Sequence, residues 1–336
     1  MRVVIAPGQL AGALSAGEAA RAMAQGWRLQ WPGDQLALVP MADGGEGTIE
    51  VVSARMPGAR RRQIEVADAR GRAVHAGWLS LPDGRALVEA AQACGLARLA
   101  PGERDPLLAT SYGVGQLIAA AAEGHREIVV GVAGTATMDG GGGMATALGH
   151  GLRRADGNSL KVGGRFLLDL ERIEAAPRVP ATVVVCTDAT LPLLGPSGAV
   201  AATALAKGAS DQDLALLEAA LTRLAGIAER DLRGGPWRDI PGAGAAGGLG
   251  FGLAAFCHAR IEPGAATIAD LVGLDQALEG TTVVLTGEDA LGAFVSSRAR
   301  ERGALVLAVP APPGDPRDAA SLVAARTADL ARTIDR

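Results

Sequence analysis

Residues 63–90 read QIEVADARGRAVHAGWLSLPDGRALVEA, and this stretch divides the chain. Three strand-like runs, QIEVAD, AVHAGWLSL and ALVEA, are separated by the polar, turn-forming segments ARGR and PDGR. The pattern predicts an antiparallel meander. Elsewhere the period is different. Short β-branched runs bounded by Gly, Pro or Asp at 3–6, 36–40, 127–132, 182–186, 281–285 and 304–309 predict buried parallel strands. Apolar residues at helical spacing over 17–31, 111–123, 212–232, 290–300 and 317–334 predict crossover helices, the first started by a capping box of Ser15 and Glu18. The whole reads as an α/β protein in which the meander opens a second unit. Strand-like TTVVLTG and ALVLAVP return the chain to the first unit near residue 265.

The totals agree with two domains. A chain of 336 residues, 49% of them hydrophobic, exceeds what one core usually holds. A formal charge of -4 offers no footprint for nucleic acid. Cys94, Cys186 and Cys257 are far apart and odd in number, which argues against a disulfide framework or a zinc site and fits a reducing cytoplasm. Pro7, Gly8 and Gln9 interrupt the first apolar run before it reaches signal-peptide length. The uncharged or glycine-rich stretches 189–206 and 240–259 fall short of the about 20 strongly apolar residues of a membrane span.

Two stretches carry the same words: MADGGEGTIEVV from position 41 and TMDGGGGMATAL from position 137. Each follows a strand-like run and leads into a helix. An Asp at such a junction caps the helix by accepting from its free amides, while the glycines let the backbone turn with positive φ and approach another molecule. Together these features make an anion cradle, or, with no ligand, simply a capped turn. If Asp43 and Asp139 end neighbouring parallel strands, both face the crevice where open α/β sheets bind ligands.

Gly242, Gly244 and Gly247 have the spacing GxGxxG, but RGGPWRDI before them is no strand, so a dinucleotide fingerprint fails and a closely packed glycine-rich helix is expected. No GxxxxGK[ST] loop occurs. Asp188 and Glu288 each follow a strand-like run, and Lys207 is one of only two lysines, with Lys161. The four histidines show no metal-ligand spacing.

The segments IAPGQLAGALSA, VPMADGGEGT, ALVEAAQACGL, TSYGVGQLI, GVAGTATMDGGGGM, TDATLPLLGPSGA, KGA and PGAGAAGGLGFGLAAF follow the order and spacing of the bacterial type I glycerate kinases, which the chain resembles from residue 1 to about 290. The resemblance implies a two-domain α/β fold: a discontinuous flavodoxin-like parallel-sheet domain, 1–62 plus 265–336, and an inserted α/β domain with the meander, 63–264. It implies ATP-dependent, Mg²⁺-requiring phosphorylation of D-glycerate to 2-phosphoglycerate in a cleft between domains. Asp188 is expected to orient or deprotonate the acceptor hydroxyl and Lys207 to neutralise charge. Asp43, Gly44, Gly45, Glu46, Thr135, Asp139, Gly140, Gly141, Gly247, Gly248 and Glu288 are expected to bind substrate or nucleotide. Nothing in the sequence assigns the metal's ligands.

The chain departs from the family's PDSFKGSLSA at Gly8, Ala11 and Ala13, from SATNDGG at Met138, from DVTNPL at Leu191 and from PQKGA at Ala206. A polar, basic segment that follows TGE in the family is missing after Glu288. Two readings follow: a glycerate kinase with a trimmed site, or a weakened or inactive homologue that binds a small anion or nucleotide, or serves as a scaffold.

Overall fold

The computed structural model describes residues 1–10, 13–312 and 316–334. The chain begins with β1 (Arg2–Ile5), α1 (Ala16–Gln30), β2 (Gln35–Leu38) and α2 (Thr48–Arg55). Next come β3 (Arg60–Ala67), β4 (Ala73–Ser80), β5 (Arg85–Glu89), α3 (Ala91–Cys94), α4 (Tyr112–Ala122), β6 (Glu127–Gly131) and α5 (Gly142–Ala147). They are followed by β7 (Gly151–Arg153), β8 (Arg172–Glu174), β9 (Thr182–Cys186), α6 (Ala199–Thr203), α7 (Asp211–Asp231), α8 (Ala245–Cys257) and β10 (Arg260–Glu262). The chain ends with α9 (Gly264–Val272), α10 (Leu274–Leu278), β11 (Val283–Gly287), α11 (Ala290–Arg300), β12 (Leu305–Val309) and α12 (Ala319–Arg332).

These elements form two compact units: residues 1–43, 50–57 and 264–336, and residues 44–49 and 58–263. In unit 1 a four-stranded parallel sheet runs β12-β11-β1-β2. Trp27, Met23, Ile5 and Leu285 are buried in its core. Gly26 brings α1 onto α12 so closely that a methyl group there would overlap the main chain of Ala324. The Ser15–Glu18 capping box starts α1 as its sequence predicts.

Unit 2 holds a six-stranded sheet of order β10-β9-β6-β5-β4-β3. The meander β3–β4–β5 is antiparallel, and β5, β6, β9 and β10 are parallel. The continuous apolar text of β6 and β9 follows from burial on both faces, with Val130 and Val185 side by side and fully buried. A two-stranded ribbon pairs β7 with β8.

One sequence expectation is corrected. Asp43 and Asp139 do not end neighbouring strands: β2 pairs with β1 in unit 1, whereas β6 lies between β5 and β9 in unit 2. Non-local pairing is not written in the composition of a single run. The glycine-rich α8 is the closely packed helix that its sequence predicts, and it adds a feature the sequence did not show: Ala246, Gly247 and Gly248 have φ of 56°, 70° and 86° and form a left-handed turn at its start. No helix among the described residues is long and apolar enough to cross a membrane.

Candidate active site

Glycine-lined bends far apart in sequence meet in unit 2 at the carboxyl ends of β6 and β9. Gly44, at φ 93°, lies against the main chain of Cys186, the last residue of β9, and Gly131, the last residue of β6, packs on the Gly44 carbonyl. Gly140 donates its amide to the Gly247 carbonyl at 3.1 Å, and Gly244 donates to that of Leu191 at 3.0 Å. A methyl group at Gly247 would overlap the Thr137 carbonyl, and one at Gly248 would sit 2.9 Å from Gly140 Cα. Backbone therefore packs on backbone, which residues with a Cβ could not allow. Ala246 keeps positive φ without that freedom, a strained conformation of the kind held by its surroundings at binding sites. It is also the partly exposed member of an otherwise buried turn.

Asp139 holds this arrangement from inside. It is 1% exposed, and its carboxylate accepts from the Ser111 amide at 2.8 Å, the Ser111 hydroxyl at 2.9 Å, the Gly143 amide at 3.1 Å and the Gly141 amide at 3.2 Å. Burial pushes its carboxyl pKa above the ordinary range, while these donors pull it back. The capping reading of the sequence holds for Asp139: the acid organises the start of α5 and spends its lone pairs on protein amides.

Lys207, also buried, plays a matching part. Its Nζ donates to the Thr137 carbonyl at 2.8 Å and lies 3.5 Å from Thr135 Oγ1, which in turn donates to the Ala246 carbonyl at 3.3 Å. Burial lowers the Lys207 pKa to about 8, opposed by the charge of Asp139 among others. The lysine thus ties the 135–137 loop to the left-handed turn.

The 44–49 loop is anchored by Glu89, a residue the sequence reading passed over. At the carboxyl end of β5 and 1% exposed, it accepts from the Gly47 amide at 3.3 Å, the Ile49 amide at 3.0 Å and Gln92 Nε2 at 3.3 Å. It therefore supplies acceptors to the first turn of α2, where Thr48 Oγ1 also bonds the Gly45 carbonyl at 2.7 Å. Burial raises the Glu89 pKa, and the nearby charge of Glu46, which is exposed, adds to the rise. The signal was available: Glu89 ends an apolar run just as Asp188 does.

Asp188 is exposed and lines an open pocket with Thr187, Ala189, Thr190, Pro241, Ile261, Glu262 and Pro263, at the carboxyl ends of β9 and β10. Glu262 is a second acid here that sequence reasoning missed, because the three-residue β10 gives too short a run to read. Asp43 and Glu288 belong to unit 1. Glu288 directly follows β11, and Asp43 follows β2 by a few residues.

The departures from the family pattern become apolar contacts. Met138 is fully buried, its Sδ 2.8 Å from where a Gly247 methyl would sit. Leu191 lies over Gly244. In unit 1, a side chain begun at Gly8 would meet Leu291 Cδ2 at 2.7 Å. Ala206 is exposed, and Ala11 lies outside the described residues.

Among the described residues no three His, Cys, Asp or Glu side chains gather as a metal cage. Asp188 and Glu262, with threonine hydroxyls in the same pocket, fit the other way of holding Mg²⁺, in which one or two carboxylates share the ion with phosphate oxygens and water.

Comparison with known proteins bears directly on this constellation. The sequence model of the glycerate kinase family matches residues 3–295. Glycerate 2-kinase of Escherichia coli (strain K12) is 40% identical over 294 residues, covering 86% of this chain and 77% of that protein. Glycerate kinase of Bacillus subtilis (strain 168) is 36% identical over 295 residues, covering 86% and 76%. A crystal structure from Salmonella typhimurium LT2, described as a glycerate kinase 2, superposes with a TM-score of 0.85 at 33% identity, covering 99% of this chain and 98% of that one.

Proposed function

The chain belongs to the glycerate kinase family, and from that premise we propose that it transfers the γ-phosphoryl group of ATP to D-glycerate, giving ADP and 2-phosphoglycerate. The Escherichia coli relative, named for transfer at the 2 position, supports the choice of hydroxyl. The observation that carries the site is the convergence of the Gly44, Gly140 and Gly247 bends beside a pocket lined by Asp188.

Phosphoryl transfer demands little covalent chemistry from the protein; positioned donors and charge do most of the work. In this reading Asp188 accepts a hydrogen bond from the acceptor hydroxyl and takes its proton as the oxygen attacks the γ-phosphorus. The bond to the β–γ bridging oxygen breaks, and ADP leaves with that electron pair. The amides of Gly44 and Glu46 and of the turn at Ala246 and Gly247 face the phosphate or carboxylate oxygens, while the Gly47 amide is held by Glu89. Asp139 and Lys207 act one step back by fixing those loops. Glu262 and the threonine hydroxyls of the pocket would help to hold the Mg²⁺ that arrives with the nucleotide, and the ion would neutralise phosphate charge. Asp43 and Glu288 are proposed as further ligand-binding carboxylates at strand ends of unit 1. Three buried thiols support a reducing, cytoplasmic setting.

One observation favours the second reading, a non-catalytic anion-binding relative: Leu291 packs where a side chain at position 8 would begin. A coupled assay of ADP release with D-glycerate, ATP and Mg²⁺ separates the two. Glycerate-dependent turnover supports the kinase, and nucleotide binding without turnover supports the relative.

A further inference from the structure

Three side-chain groups described in unit 2 are buried without a hydrogen-bond partner, Trp78 Nε1, Thr137 Oγ1 and Arg104 Nε, and only the last is on a charged side chain. The Arg104 Nε–H is buried and has no hydrogen-bond partner, and no carboxylate among the described residues pairs with its guanidinium. A buried, unsatisfied donor on a permanently charged group calls for a partner from outside the fold.

The acids beside it in sequence are committed elsewhere. Glu103 accepts from the Ala100 amide at 3.2 Å and pairs with Arg72 at 2.7 Å. Asp105 Oδ1 accepts from the Leu107 amide at 3.0 Å and the Leu108 amide at 3.3 Å. Local counter-charge is thus used up without reaching Arg104.

The residue is also rigidly placed. Gly208 has φ 100°, and a methyl group there would lie 2.9 Å from both Arg104 Cβ and the Arg104 carbonyl oxygen, so the two backbones are pressed together. Gly208 directly follows Lys207, the lysine that ties Thr135 and Thr137 to the left-handed turn. The segment after Arg104 is braced again at Ser111, which bonds Asp139 through both amide and hydroxyl. A guanidinium carried on such a frame has little freedom left to lose on binding.

We propose that Arg104 is an oxyanion-binding residue of this enzyme, its planar fork receiving two oxygens of a carboxylate or phosphate. The identity of the ligand rests on the kinase reading, which supplies both chemistries: the carboxylate of D-glycerate and the phosphates of the nucleotide.

The test uses the full chain and its Arg104→Gln and Arg104→Lys variants. Calorimetry measures binding of D-glycerate alone, MgADP alone and inorganic phosphate alone, and ligand-free thermal midpoints are compared in parallel. Arg104→Gln is expected to keep the midpoint of the parent and to lose at least about tenfold in affinity for one ligand, with a smaller loss in Arg104→Lys. A loss confined to D-glycerate assigns the carboxylate, and a loss confined to MgADP and phosphate assigns the phosphates. Unchanged affinities in Arg104→Gln overturn the proposal, as does a parent that binds none of the three anions. A lowered midpoint in both variants with affinities preserved shows a folding contact and also overturns it. Turnover does not enter these readouts, so a parent that binds D-glycerate without phosphorylating it would end the kinase reading and leave the Arg104 result standing.

Discussion

Lys207 Nζ lies 2.8 Å from the main-chain oxygen of Thr137, a bond from a buried ammonium to a carbonyl of the loop that follows β6. Burial lowers the lysine's pKa from the ordinary 10.5 to about 8. Below pH 8 both folded and unfolded chains hold the proton, and the folded state bears the full burial penalty. Between pH 8 and 10.5 the unfolded chain holds more protons, so stability rises with pH. Relative to Lys207→Met, the parent should gain of order 3 kcal/mol across that window in urea unfolding. Parallel curves for the two proteins would show that the lysine is not desolvated as described.

Asp139 and Asp188 both follow apolar strands, β6 and β9, yet the first is inside and the second is exposed. Asp139→Asn should cost about 3 kcal/mol of stability, since an amide cannot satisfy all the donors that meet the carboxylate. Asp188→Asn should leave the thermal midpoint within about 2 °C and abolish turnover. The reverse pattern would exchange their roles.

At the left-handed turn, Gly247→Ala should destabilise by at least about 3 kcal/mol because the new methyl overlaps the Thr137 carbonyl. Ala246→Gly, which relieves a positive φ, should be no less stable than the parent. Chemical denaturation of both variants tests the pairing of these two loops, and tolerance of Gly247→Ala would mean that they do not touch.

Cys94, Cys186 and Cys257 are all buried, and burial pushes the thiols of Cys94 and Cys257 up to about 12. Ellman's reagent should find essentially no reactive thiol in the native protein at pH 8 and all three in denaturant. Rapid labelling of the native chain would contradict the packing around Lys207 and Asp139, where Cys94 lies.

The fold was legible where the chemistry is local. Continuous β-branched text specifies β6 and β9, polar turns punctuate the meander, and Ser15 with Glu18 starts α1. The short β10, the ribbon β7–β8 and the left-handed entry to α8 were not, since three residues or one turn hold too little periodicity. Within the site, sequence singled out Asp139 but could not tell a structural carboxylate from a ligand-facing one. That distinction depends on Ser111, 28 residues earlier, arriving beside it. Glu89, Glu262 and Arg104 stayed hidden for a similar reason: their roles come from what surrounds them in space.

The most direct test is ³¹P NMR of a mixture of the protein, D-glycerate, ATP and Mg²⁺, run beside Asp188→Asn. A phosphomonoester on the C2 oxygen of glycerate, growing with ADP in the parent and absent in the variant, is the predicted result. No glycerate-dependent phosphoester in the parent, or the same product at the same rate from Asp188→Asn, would contradict the account.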